Sequence, residues 1–325
     1  MRSVDRRAFL QLTAGIGATV GLPRFASARD YPVRPVRIVV GYAAGGTADV
    51  TARLVGQLLS ERLGQQFIVE NRPGAGSNLA AEEVVHARPD GYTLLLASGA
   101  NAINATLYKK LDFDFERDIT AVAGIIRVPN VMVVSPSFPA ETIGEFIAYA
   151  KAHPGMINVA TLGNGSPQQV FGSLFEMMAG VKLVHVPYRG GAQAVTALLG
   201  GQVQVFFGAT TVMIGYIKAG RVRGLAVTTA QRVDALPGVP AMAEAVPGYK
   251  AADWLGLGAP KATPRHIVDL LNNAVNAGLA DPKIKQRLSA QGSILKGSPG
   301  DFGKLIRSET QKWAKVIQAG DIKSE

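Results

Sequence analysis

From Val36 onward, short runs of β-branched residues alternate with longer stretches whose apolar residues recur every three or four positions. Val36-Arg37-Ile38-Val39-Val40 reads as a strand. Residues 48–63 read as a helix, with Val50, Leu54, Val55, Leu58, Leu59 and Leu63 on one face. Strands follow at 67–70 and 92–97, with a helix between them that Asn78 can cap. A second set repeats the scheme. Strands are expected at 131–134, 158–160, 183–186, 203–207 and 224–228, and helices at 142–152, 168–179 and 192–199. Strand, helix, strand at this spacing predicts βαβ units and a mostly parallel sheet. The C-terminal part is helical. Thr263-Pro264, Asp281-Pro282 and Ser298-Pro299 each mark a helix start, with proline in the first turn.

The pattern therefore divides into two α/β units. Two segments cross between them, one near 125–134 and one over the proline-rich stretch 236–254. Two crossings imply a hinged molecule with a cleft between its lobes. The expected organisation is a leader at 1–28, a first lobe at 29–127, a second lobe at 128–250, and a return at 251–325 whose helices pack on the first lobe.

The leader is read from a basic start, an uncharged apolar run at 12–22 and the small-x-small triplet Ala26-Ser27-Ala28. Arg6-Arg7 with Phe9-Leu10 resembles a twin-arginine export signal, from which Asp5 and Gln11 depart. The apolar run is shorter than the roughly 20 residues that span a bilayer, so export with cleavage near Ala28 is expected. Of the net charge of +10, the four arginines and one aspartate of 1–28 account for three, leaving +7. These charges are scattered, with no basic tract of the kind that binds nucleic acid. The chain has no cysteine, so neither disulfides nor thiolate metal sites form.

Two loops carry the candidate chemistry. Tyr42-Ala43-Ala44-Gly45-Gly46-Thr47-Ala48-Asp49 lies between the first strand and first helix. Leu162-Gly163-Asn164-Gly165-Ser166-Pro167-Gln168-Gln169 holds the same place in the second unit. Helix N-termini leave N–H groups unpaired and carry partial positive charge, and small residues let an anion approach them. Thr47 is a candidate N-cap, and Ser166 another with Pro167 following. Asp49 either complements the helix dipole, orients Thr47 or meets a polar ligand group. The alternative for both loops is a tight turn that requires glycine for its backbone angles.

Other chemistries fit poorly. The first loop has Thr47 where a phosphate-binding loop needs lysine, and Gly163-Asn164-Gly165 lacks the third glycine of a dinucleotide fingerprint. No serine satisfies Gly-x-Ser-x-Gly. His86, His153, His185 and His266 form no metal-binding pair, and neither metal nor cofactor is expected.

From residue 31 to the last helix, the chain resembles the Bug, or TctC-like, family of periplasmic solute-binding proteins. The resemblance is carried by Arg34-Pro35-Val36-Arg37-Ile38-Val39-Val40 with Gly45-Gly46-Thr47-Ala48-Asp49, by Val69-Glu70-Asn71-Arg72-Pro73-Gly74-Ala75-Gly76, and by Pro89-Asp90-Gly91-Tyr92-Thr93-Leu94-Leu95. Leu107-Tyr108-Lys109-Lys110-Leu111, Pro187-Tyr188-Arg189-Gly190 and Leu199-Gly200-Gly201-Gln202-Val203 complete it. The resemblance implies a two-lobe Venus-flytrap fold of the type II periplasmic binding class. It also implies an organic acid, a di-, tri- or aromatic carboxylate, held between the lobes for delivery by a monomer to the large and small subunits of a membrane transporter. An exported ligand sensor, or less readily an exported enzyme, is the alternative. Family contacts fall on Tyr42, Ala43, Gly45, Gly46, Thr47 and Asp49 in the first loop, and on Leu162, Gly163, Asn164, Gly165, Ser166 and Gln169 in the second. Ser98, Asn101, Arg189 and Ala209 complete the expected set. Relatives often carry His near 169 and Asp near 208–209; Gln169, Gly208 and Ala209 depart from this. Lack of an acid in the cleft would disfavour an amino-acid ligand and favour a plain carboxylate.

Overall fold

The computed structural model of the protein describes residues 31–163, 165–188, 190–289, 292–320 and 322–323. The leader expected at 1–28, and the expected site residues Asn164 and Arg189, lie outside the described residues.

The strands are β1 (Val36–Val40), β2 (Phe67–Asn71), β3 (Thr93–Ser98), β4 (Ile119–Val128), β5 (Asn130–Val134), β6 (Asn158–Thr161), β7 (Val184–Pro187), β8 (Val205–Ala209), β9 (Arg223–Val227), β10 (Asp253–Pro260) and β11 (Ser293–Ile294). They form a six-stranded sheet, β2-β1-β3-β10-β4-β11, and a five-stranded sheet, β7-β6-β8-β5-β9. The helices are α1 (Thr47–Leu63), α2 (Asn78–Val85), α3 (Gly99–Leu107), α4 (Phe115–Asp118), α5 (Ile143–Ala152), α6 (Pro167–Ala179), α7 (Gly191–Leu199), α8 (Thr210–Lys218), α9 (Arg265–Leu279), α10 (Pro282–Ser289) and α11 (Pro299–Ala319). Two α/β lobes, one per sheet, make up the molecule.

The βαβ segments give parallel pairs, β1 with β2 and β3, and β6 with β7 and β8. The expectation of a mostly parallel sheet is nevertheless wrong. β10 runs antiparallel to β3 and β4, and β5 antiparallel to β8 and β9. The cause is connectivity. β4 and β5 carry the chain from one sheet to the other with only Pro129 between them, and β10 carries it back. The first strand after each crossing, β5 and then β10, enters its sheet against the direction set by the βαβ units. Thr228 ties the two crossings together. Its hydroxyl donates to Asn130 O at 3.1 Å, its N–H donates to the same oxygen at 2.8 Å, and its own carbonyl accepts from Ala251 N at 2.8 Å.

Several helix details differ from expectation. Val50 is exposed, and the buried face of α1 begins instead with Ala48, Thr51, Ala52, Leu54 and Val55. Pro264, not Thr263, occupies the N-cap of α9, because the Thr263 hydroxyl donates to Pro260 O instead. The last helix does not pack on the first lobe alone. Phe302 and Ile306 join the first lobe's core beside Trp254, while Trp313, Val316 and Ile317 join the core of the second. The Trp313 and Phe171 rings stack at 5.4 Å. From the first lobe, α3 also contributes Ile103 and Leu107 to that second core. Burial on both sides of one long amphipathic helix thus braces the lobes along one flank.

Candidate functional site

Each of the two glycine-rich loops leads from the C-terminal end of a parallel strand into a helix. In the first, Gly45 takes a positive φ of 87°, which glycine adopts without steric cost. Its N–H donates to Asp49 Oδ2, four residues on, at 2.9 Å. Asp49 also accepts from Arg53 Nε at 3.0 Å and from Asn71 Nδ2 at 3.0 Å. Burial pushes the Asp49 carboxyl up, but the Arg53, Gly45 and Asn71 bonds outweigh it and hold it below its ordinary value. Asp49 is therefore a latch that fixes the loop from behind. Thr47 is not the N-cap of α1. Gly46 occupies that position with extended backbone and no side-chain cap, and the Asp49 latch replaces the expected hydroxyl.

The second loop repeats the device. Gly165 has φ 77° and donates its N–H to Gln169 Oε1, again four residues on, at 2.6 Å. Ser166 is the N-cap of α6, accepting from Gln169 N at 3.3 Å and from Leu162 N at 3.2 Å, with Pro167 in the first turn. Gly165 also meets the opposite lobe. A Cβ there would lie in contact with the Leu107 side chain and 3.0 Å from Asn104 Oδ1, both on α3.

Between the loops lies a cavity of about 680 Å³. Tyr42, Ala43, Gly46 and Thr47 line it from the first loop, and Leu162, Gly163, Gly165 and Ser166 from the second, with Ala209 from the end of β8. The N-terminal residues of other helices join them: Ala100 of α3, and Gly190 and Gly191 at α7. The N–H groups of first helical turns have no intrahelical partner and carry the positive end of the dipole. Val128, Phe206, Val212 and Leu255 give the wall an apolar part. No Lys or Arg lines the cavity among the described residues. The arrangement suits an anion held by backbone N–H groups, with carbon against the apolar wall.

Five expected residues stand outside this wall. Gly45, Asp49 and Gln169 form the latches. Ser98 is buried, its hydroxyl 2.9 Å from Tyr42 Oη, and Asn101 Oδ1 accepts from Ser98 N at 2.9 Å. This pair builds the start of α3 and supports the Tyr42 ring from behind. Burial, with Asp253 nearby, raises the Tyr42 hydroxyl well above its ordinary value, so it remains protonated.

Sequence reasoning missed Asp253, which overturns the expectation of a cleft without an acid. Asp253 lines the cavity at the start of β10. Its Oδ1 accepts from Gly99 N at 2.9 Å and Trp254 N at 2.8 Å, so the carboxyl caps α3. Burial pushes it up from 3.8 to about 6 against those two bonds, with Glu309 adding to the rise. Asn130, Tyr108 and Gly76 were also missed. Asn130 lies at the crossing point, 1% exposed, and its Nδ2 has no partner among the described residues. The only local signal was the position of 130 and 253 within the two crossing segments.

Residues 51–322 match the family model of the tripartite tricarboxylate transporter family receptor, TctC. The chain belongs to the TctC family. A UPF0065 protein of Bordetella bronchiseptica is 38% identical over 300 residues, which span 92% of this chain and 89% of that protein. Solved structures agree with the two-sheet architecture. An R. palustris protein with adipate is 36% identical with a TM-score of 0.83, covering 90% of this chain and 99% of that one. MatC from Rhodopseudomonas palustris with bound malate is 33% identical with a TM-score of 0.80, covering 88% and 100%. This TctC chain therefore has the two-lobe fold of periplasmic solute-binding proteins.

Proposed function

We propose that this TctC protein captures a small organic acid between its lobes and delivers it to a tripartite membrane transporter. The supporting observation is the cavity itself, faced by a latched glycine loop from each lobe and by no Lys or Arg among the described residues. Gly46 and Thr47 on one side, and Gly163 and Ser166 on the other, are the proposed grip on one carboxylate, with Gly45 and Gly165 holding the loops through their latch bonds. Asn164 and Arg189 belong to the same proposal on sequence grounds. The adipate and malate of its relatives point to the same ligand class. The protein acts in the periplasm as a monomer after cleavage of its leader near Ala28, with 29–127 and 251–325 as one lobe and 128–250 as the other. Among the described residues no helix is long and apolar enough to cross a membrane. Its likeness to a solved periplasmic binding protein, BugD, supports a binding role without catalysis.

Thermal unfolding of residues 29–325 against mono-, di-, tri- and aromatic carboxylates tests this. A cognate acid at about 100 times its dissociation constant adds roughly 2.7 kcal/mol and raises the midpoint by a few degrees. No shift with any acid, for protein refolded free of endogenous ligand, contradicts the proposal.

A further inference from the structure

The glycine loops account for one anionic end of a ligand and leave the hinge wall of the cavity without a role. Among the described lining residues, Asp253 is the only charged side chain. Both hydrogen bonds that it accepts fall on Oδ1. Among the described residues its second carboxyl oxygen accepts no hydrogen bond, which leaves it available to a ligand. Val128 is its partner across the β4–β10 pair, and Val128, Asn130, Asp253 and Leu255 all line the cavity. Pro129 alone separates Val128, the cross-strand partner of Asp253, from Asn130, so Asn130 and Asp253 both reach the cavity at the hinge where the chain passes between the sheets. Asn130 is fixed by its backbone bonds to Thr228, while its Nδ2 has no partner among the described residues. A buried amide donor without an acceptor is costly unless something completes it, and the half-buried Asp253 carboxyl lines the same cavity.

We infer that Asp253 and Asn130 form a second polar subsite, which selects an acid carrying a hydroxyl group besides the carboxylate held by the loops. This rests on the function proposed above. A hydroxyl donates to Asp253 and accepts from the Asn130 amide, satisfying both at once. A bare methylene satisfies neither. A second ligand carboxylate placed there meets a like charge, and an ammonium leaves the Asn130 donor unpaired. The charged and titratable groups around Asp253 are consistent with an acceptor. Tyr42 keeps its proton, and Glu309 is the other acid acting on it.

The test is calorimetric titration of sets of acids that differ at one substituent. The probes are succinate, malate and aspartate; glutarate, 2-hydroxyglutarate and glutamate; adipate, 2-hydroxyadipate and 2-aminoadipate; and benzoate with 3-hydroxybenzoate. The tightest acid should be a hydroxylated one, binding at least about tenfold better than its unsubstituted and amino counterparts. Asp253→Asn retains an oxygen for Gly99 and Trp254 but replaces the spare acceptor with a donor. It should remove the hydroxyl preference and improve binding of the plain diacid, with the α3 cap intact as judged by the unfolding midpoint. Should Asp253→Asn fail to fold, Asn130→Ala is the second variant, and it should cut the same preference. Tightest binding of an unsubstituted or amino acid, or an unchanged ratio in the variant, overturns the inference while leaving carboxylate binding intact. Failure of every acid to bind overturns the proposed function instead.

Discussion

At the scale of single residues, the site depends on side chains that do not face the ligand cavity. Asp49 and Gln169 each accept the N–H of a glycine four residues earlier, which fixes a loop that lines the cleft. Asp253 combines a structural bond with a cavity face, and its ionisation leaves a measurable trace. Burial lifts its pKa from 3.8 to about 6, so between those values the folded protein holds a proton that the unfolded chain has released. Stability contributed by this group is therefore lost as pH rises through that window. Asp253→Asn should flatten the stability profile between pH 4 and 6 and stabilise the protein at pH 7 by on the order of 2 kcal/mol. Denaturant unfolding at a series of pH values measures this, and an unchanged profile would show that Asp253 is not buried as described. The glycine loops were legible in the sequence because both their composition and their place between strand and helix are local. Asp253 was not, because a strand reaching back from the far end of the chain brings it beside Gly99. Asp49 was legible as an acid in a first helical turn, but its partners Gly45, Arg53 and Asn71 were not.

At the scale of elements, the parallel βαβ segments followed from hydrophobic periodicity, and the crossing strands did not. β10 reads Asp253-Trp254-Leu255-Gly256-Leu257-Gly258-Ala259-Pro260, and glycines inside a strand look like breaks in sequence. Their reason is packing. A Cβ on Gly256 would enter the Phe302 ring, and one on Gly258 would lie 2.7 Å from the Ile119 side chain. β4 was hidden because it is apolar on both faces and has no alternation to detect. The loop before α6 makes a different demand on glycine. Gly165 combines a positive φ with contact to Leu107 and Asn104 of the other lobe. Gly165→Val should prevent the second loop from meeting α3. Scattering at small angles should then show an expanded molecule that saturating ligand fails to compact, while circular dichroism stays near wild type. Compaction equal to wild type would show that this contact is not needed for closure.

At the scale of the whole molecule, closure and stability share one flank. The chain crosses between lobes at Val128-Pro129-Asn130 and again near Thr228 and Asp253, and α11 adds a third connection through packing alone. Trp313, 1% exposed, carries that connection by stacking on Phe171. Trp313→Ala should cost about 3–5 kcal/mol, as large aromatic truncations in a core do. It should also loosen the lobes more than truncation of an equally buried residue in one lobe, such as Phe146→Ala. Chemical denaturation and amide hydrogen exchange in α6 and α11 check this, and equal exchange in the two variants would contradict the bracing role. The two-lobe plan was legible from two runs of strand–helix units with irregular segments between. The bridging role of the last helix was not, because a continuous amphipathic stripe does not reveal that two different cores receive it.

The central claim is that one carboxylate is held by backbone N–H groups from both lobes. It is tested most directly by titrating Gly46→Val with the acid that most raises the wild-type unfolding midpoint. A Cβ on Gly46 meets only Ala43 O, at 3.9 Å, and its backbone is extended, so the fold tolerates the change while the side chain enters the cavity wall. Affinity should fall by roughly a hundredfold or more, the loss expected when several charge-assisted hydrogen bonds are blocked, with the ligand-free midpoint unchanged. Wild-type affinity in Gly46→Val would contradict the account and place the ligand elsewhere in the protein.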